Sequence, residues 1–153
     1  VMTSRRFSIA VLSISAMLLC VTVYAQVSRP YRNGTVWDIA FIRVKPGMNE
    51  AYMNYLCGQW KALQEASKQA GLIVSYKVLG TEAHGSNDWN LLLMTEYKDL
   101  ASMEANEQKS EALAEKVIGD DQKMMQGYRD RSEIREVMGD RLAREIILEP
   151  RPQ

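Results

Sequence analysis

Histidine and cysteine are nearly missing from this 153-residue chain, which has one His and two Cys. That scarcity argues against several chemistries at once. A metal site needs several ligands at close spacing, and no second His or Cys stands near His84. A serine hydrolase triad is disfavoured too, because His84 is alone and no Gly-x-Ser-x-Gly elbow occurs. An excess of charge is also missing: 19 Lys and Arg stand against 19 Asp and Glu. Nothing here is basic enough to grip a nucleic acid. Internal repeats and low-complexity segments are absent.

One long apolar run is present, from Phe7 to Val23, and it follows Arg5-Arg6. A positive start, an apolar run and the small-residue pattern Val23-Tyr24-Ala25 together predict a secretion signal over residues 1–25. The run is 17 residues long and diluted by Ser8, Ser13 and Ser15, short for a membrane span. Ser8 disfavours a twin-arginine signal, and Leu19 disfavours Cys20 as a lipoprotein cysteine. The expected location is therefore periplasmic or secreted, with no membrane attachment after cleavage. From Gln26 onward 128 residues remain, with 17 basic and 19 acidic side chains. Cys57 is then the sole cysteine, so no intrachain disulfide is possible and a packed core must hold the fold.

Residues 26–35 are polar and predict a leader, and 36–153 predict one domain. Val36 to Val44 is rich in β-branched and aromatic residues, as a strand requires. Lys45-Pro46-Gly47 ends it, and a helix follows with Asn49 as its cap and Gly71 as its stop. Leu72 to Leu79 and Trp89 to Tyr97 predict two more strands, joined by the hairpin loop that holds His84. Asp99 caps the next helix, and Asp120 caps another that carries Met124, Tyr128, Ile134 and Met138 up to Gly139. Leu142 to Leu148 predicts the last strand. The order is βαββαβ with an extra helix before the last strand, an α+β, ferredoxin-like arrangement.

The strands are apolar on both faces. Trp37, Ile39 and Phe41 point one way; Val36, Ala40, Ile42 and Val44 point the other. In the third strand Leu92 and Met94 oppose Trp89, Leu91 and Leu93. Helices in such a fold cover one face only, so the second face needs another cover. A second copy of the chain is the simplest, which predicts a homodimer.

Val44-Lys45-Pro46-Gly47 before a Tyr52-bearing helix, Gly71, and then Glu96-Tyr97-Lys98-Asp99-Leu100 resemble the dimeric α/β-barrel superfamily. The resemblance spans Trp37 to Glu149. It implies two ferredoxin-like subunits whose sheets pair into a barrel with a cavity in each half. It also implies, for members that are enzymes, cofactor-independent monooxygenation or isomerisation of small aromatic or lactone-like compounds. The Asn, Trp and His set of the haem-degrading members has no match here, so no cofactor is expected.

Within this frame the expected function is binding of a small apolar or aromatic ligand in a barrel cavity. Asp38 and His84 are the catalytic candidates. A desolvated carboxylate has a raised pKa and can act as a base, and His84 is the one imidazole, the side-chain type most used for proton transfer. Arg43, Tyr76 and Asn90 are the ligand-binding candidates, because a few polar groups among apolar ones are typical of small-molecule pockets. No metal site is expected. Cys57 lies mid-helix, where a small packed residue is expected. Asn106 and Ser110 interrupt the Leu100, Met103, Leu113, Val117 stripe and are further pocket candidates. Glu104, Glu107, Glu111 and Glu115 have the spacing of a solvated face. Arg129, Arg131, Arg135, Arg141 and Arg144 could hold an anion, but Asp130, Glu133, Glu136 and Asp140 interleave with them.

Overall fold

The computed structural model describes residues 30–85 and 87–150. The secretion signal expected over residues 1–25 lies outside the described residues. The chain divides into two compact units. Of the described residues, one takes in 30–32 and 148–150, where the Glu149 N–H donates to the Pro30 carbonyl and Arg32 pairs with Glu149 at 3.2 Å. The other, residues 33–147, holds the core and the candidate sites.

Four strands form one sheet in the order β2-β3-β1-β4. They are β1 Tyr31–Val44, β2 Ser75–Gly80, β3 Leu91–Tyr97 and β4 Arg135–Leu148. β3 runs antiparallel to both β1 and β2. This is the expected ferredoxin-like α+β fold. Between β1 and β2 lie α1 (Asn49–Tyr55), a π-helical turn (Leu56–Trp60) and α2 (Lys61–Gln69). Between β3 and β4 lie α3 (Leu100–Ala105), α4 (Glu107–Ile118) and α5 (Asp121–Ile134).

Local chemistry accounts for most boundaries. Met48 N–H donates to the Lys45 carbonyl across Pro46-Gly47, and Gly47 takes φ +77. That is a tight turn with proline and glycine where each is favoured. At the end of α2, Gly71 N–H reaches the Lys68 carbonyl and Leu72 N–H the Ser67 carbonyl. With Gly71 at φ +70, this is a Schellman cap. The Asp99 and Asp120 side chains accept from the N–H groups of Ser102 and Lys123, capping α3 and α5.

Several boundaries differ from the sequence reading. β1 starts at Tyr31, so Tyr31–Thr35 are strand despite their polarity. Asn49 is the first helical residue of α1, and no side chain caps that helix. The helix after Asp99 is split at Asn106. Arg135 to Asp140 continue the helical period of α5 but belong to β4. The cause is visible at the junction, where the Ile134 carbonyl accepts the Lys45 N–H at 3.0 Å, tying the end of α5 to the turn after β1. Cys57, expected to be packed, is exposed on the π-helical turn.

The core lies between the sheet and the first helical segment. Ile42, Val44, Tyr52, Leu56 and Leu91 form its centre, with Ala40, Trp60, Leu93 and Ile134 packed around it. Removing each large apolar side chain from water contributes about 1.5–3 kcal/mol. Residues directly paired across antiparallel strands share a face. Ile42 pairs with Leu91 and Ala40 with Leu93, so the helix-covered face follows from the register. The opposite face carries Trp37, Ile39 and Phe41 beside Glu96, Met94 and Leu92, with Leu79 next to Leu92. There Lys77 sits 5.0 Å over the Trp37 ring.

Candidate functional site

A polar row crosses the helix-covered face. Asp38 pairs with Thr95, and Thr95 with Tyr76, so the three side chains stand abreast on adjacent strands. α2 supplies partners from above. The Tyr76 hydroxyl donates to Glu65 Oε1 at 2.5 Å, and the Thr95 hydroxyl to Gln64 Oε1 at 3.4 Å. Trp60 meets the Tyr76 ring edge-on at 5.3 Å. The hydrogen bond to Glu65 holds the Tyr76 proton and raises its pKa.

Asp38 is half-buried at the β1 end of that row. Burial, and then the nearby Asp140 carboxylate, raise its pKa above the ordinary carboxylate value. Tyr97 pairs with Val36, which places it diagonally beside Asp38 on the same face. Burial, and then the charge of Asp38, raise the Tyr97 pKa. Two ionised groups here would repel.

Tyr97 also lines a groove of about 430 Å³ between the sheet and the α3–α4 segment. Leu100, Met103 and Leu142 give it an apolar lining, and Ser110 adds a hydroxyl. Glu104, Glu107 and Glu111 bring carboxylates to the same groove. These acids have the spacing of an ordinary solvated face, and only the position of β4 turns that face into a wall. Leu142 has no sequence signal for this role. Ser110 has one, as the polar interruption of an apolar stripe.

The other sequence candidates fall elsewhere. Arg43 is ion-paired with Glu136. Asn90 is structural at its side-chain oxygen, where Oδ1 accepts the Val44 N–H at 2.9 Å, while its own N–H donates to the Ile42 carbonyl. Arg43 and Asn90 line one pocket with Lys45, Ala83, Gly85 and Asp88. His84 is exposed in the adjoining loop, and its backbone N–H donates to Asp88 Oδ2 at 3.1 Å. The candidates thus divide into two groups: Asp38 with Tyr76, and Arg43 with Asn90 near the His84 loop. Asn106 is half-buried at the junction of α3 and α4.

Among the described residues, no group of three or more His, Cys, Asp or Glu is placed to hold a metal ion. Among them, too, no helix is long and apolar enough to cross a membrane. No family model matches this chain, and no curated protein sequence matches it. Among solved structures it is similar to a NipSnap family protein of unknown function from Agrobacterium tumefaciens str. C58. The two are 15% identical, with a TM-score of 0.47, over 78% of this chain and 93% of that one.

Proposed function

We propose that this is an exported, homodimeric binding domain of the dimeric α/β-barrel type that holds a small apolar or aromatic molecule in the α3–α4 groove. The observation that carries the reading is the groove's construction: an apolar lining, Tyr97, and three glutamates. Its volume is in the range of small-molecule sites. The acids select a ligand with a cationic or hydrogen-bond-donating end, such as an aromatic amine, whose ring lies against Leu100, Met103 and Leu142. The homodimer is supported by the apolar helix-free face of the sheet. Export is supported by the N-terminal sequence.

Asp38 favours a second, enzymatic reading, namely proton abstraction during cofactor-independent oxidation or isomerisation. A carboxylate with a raised pKa is a better base, and Asp38 stands beside Tyr97, which lines the groove. The binding reading needs no such step.

A thermal-shift screen against aromatic amines, phenols and quinones tests the proposal. A ligand at a hundred times its Kd stabilises by about 2.7 kcal/mol. The expected result is saturable stabilisation by an amine-bearing aromatic, abolished in Met103→Trp, which fills the groove. No stabilisation by any compound, or the same stabilisation in Met103→Trp, contradicts it.

A further inference from the structure

The helix-free face of the sheet carries charge as well as apolar side chains. Glu96 stands on it as the direct cross-strand neighbour of Trp37 on β1 and of Ser75 on β2. Its Oε1 accepts from the Thr35 hydroxyl at 2.8 Å, and its Oε2 from the Ser75 hydroxyl at 2.5 Å. The Thr35 hydroxyl also reaches Glu145 Oε2 at 3.4 Å, which brings a second carboxylate to the same end of the face. These hydroxyls fix the carboxylates in place but bring no positive charge. Neither acid is ion-paired among the described residues.

Lys77 is the complementary case. It pairs with Met94, which sets it diagonally beside Glu96 on the same face, at the spacing of about 7–8 Å usual for such neighbours. The two are close enough to pair within the chain, yet they do not. The Lys77 ammonium lies 5.0 Å from the centre of the Trp37 ring instead. Lys77 is exposed, and no carboxylate of the described residues pairs with it. Arg43, at the far end of β1, is already matched by Glu136.

These charges sit among Trp37, Ile39, Leu92 and Met94, the side chains that a second copy would cover. Covering them takes water from Glu96 and Lys77 as well, and a charge removed from water without a partner is strongly unfavourable. In a twofold dimer a surface meets itself, so the groups that can answer Lys77 and Glu96 are the same two residues of the other copy. A twofold axis lying between the sheets and passing between Lys77 and Glu96 exchanges their positions. It sets Lys77 of each copy opposite Glu96 of the other and lays the apolar patches over one another. Given the homodimer proposed above, on which this step rests, we propose that two reciprocal Lys77–Glu96 ion pairs fix the register of the two sheets and make the face selective for a second copy of this chain. An unrelated apolar partner would leave both charges bare.

Sedimentation equilibrium of the whole protein carrying Lys77→Glu or Glu96→Lys, each alone and then the two mixed, tests the pairing. Each reversal places like charges opposite one another twice, so each variant alone should dissociate roughly a hundredfold more readily than the parent. An equimolar mixture should recover the parent's dimer, because in a mixed pair both contacts again join opposite charges. Circular dichroism checks that each variant folds. Glu96→Lys gives up the Thr35 and Ser75 hydrogen bonds; where it does not fold, the parent itself decides. Its dimer should dissociate severalfold more readily in high sodium chloride than in low, as an interface of apolar contacts alone would not. A parent that is a single chain removes the homodimer and the pairing together. A parent dimer indifferent to salt, variants that dimerise as tightly as the parent, or folded variants that stay apart when mixed overturn the pairing alone and leave the homodimer standing.

Discussion

The two faces of the sheet are built from the same kind of residue and meet different fates. On the covered face, Ile42, Val44 and Leu91 are at most 7% exposed, under the first helical segment. On the opposite face, Trp37, Ile39, Phe41, Leu92 and Met94 are each only partly buried, and Leu79 is 48% exposed. Neighbouring residues in one strand, such as Phe41 and Ile42, therefore have similar hydropathy and different surroundings. Hydropathy alone shows that a face wants cover, and topology decides which face this chain covers for itself. The polar residues sort differently. Asp38, Thr95 and Tyr76 intrude on the covered face, where α2 supplies partners for two of them. On the open face Glu96 accepts from Thr35 at 2.8 Å and from Ser75 at 2.5 Å, closing one end of the apolar patch with a satisfied polar cluster.

Substitutions can break this comparison. The largest effect is expected for Ile42→Ala, which leaves a hole in the closed core and should cost about 2–5 kcal/mol in denaturant unfolding. Phe41→Ala, one residue away on the open face, should cost clearly less at a protein concentration low enough that the proposed dimer would be dissociated. Equal losses at that concentration would mean that the faces are equally enclosed within one chain. A smaller effect is expected from Asp38→Asn. Because burial and Asp140 raise the folded-state pKa of Asp38, its contribution favours the folded state below the ordinary value of 3.8 and is lost as pH rises through the raised folded value. An amide in its place carries no such dependence, so the variant should be more stable than the parent at neutral pH. That advantage should vanish below about pH 4. A variant that is less stable at pH 7 would show that the Asp38 charge is held by partners rather than stranded.

Much of the fold is legible in the residues because local chemistry and the final structure agree. Gly71 can supply the positive φ that ends α2, Pro46-Gly47 favours a sharp turn, and Asp99 and Asp120 precede helices that their side chains can cap. Tyr31–Thr35 cannot be recognised as strand from composition, because ladder hydrogen bonds belong to the backbone and are indifferent to polar side chains. Arg135 to Asp140 repeat the spacing of α5, and the tie between Ile134 and Lys45 marks where that helix ends. The sites are less legible than the fold. Asp38 and Tyr76 lie far apart along the chain, and strand register alone brings them together through Thr95. The arginines near the C-terminus alternate with acids along the chain, a pattern that reads as neutralisation. In space Arg131 and Arg135 lie over tyrosines instead. Charge pairing is a matter of distance, and sequence order reports it only within a helix turn or two.

Sedimentation equilibrium of the purified protein, run beside its Ile39→Asp variant, tests most directly whether the open face is covered by a second copy. The expected result is twice the chain mass for the parent, and a shift to single chains for the variant with its helical content retained. A parent that remains a single, soluble chain at high concentration would contradict the dimer and leave that apolar face bare.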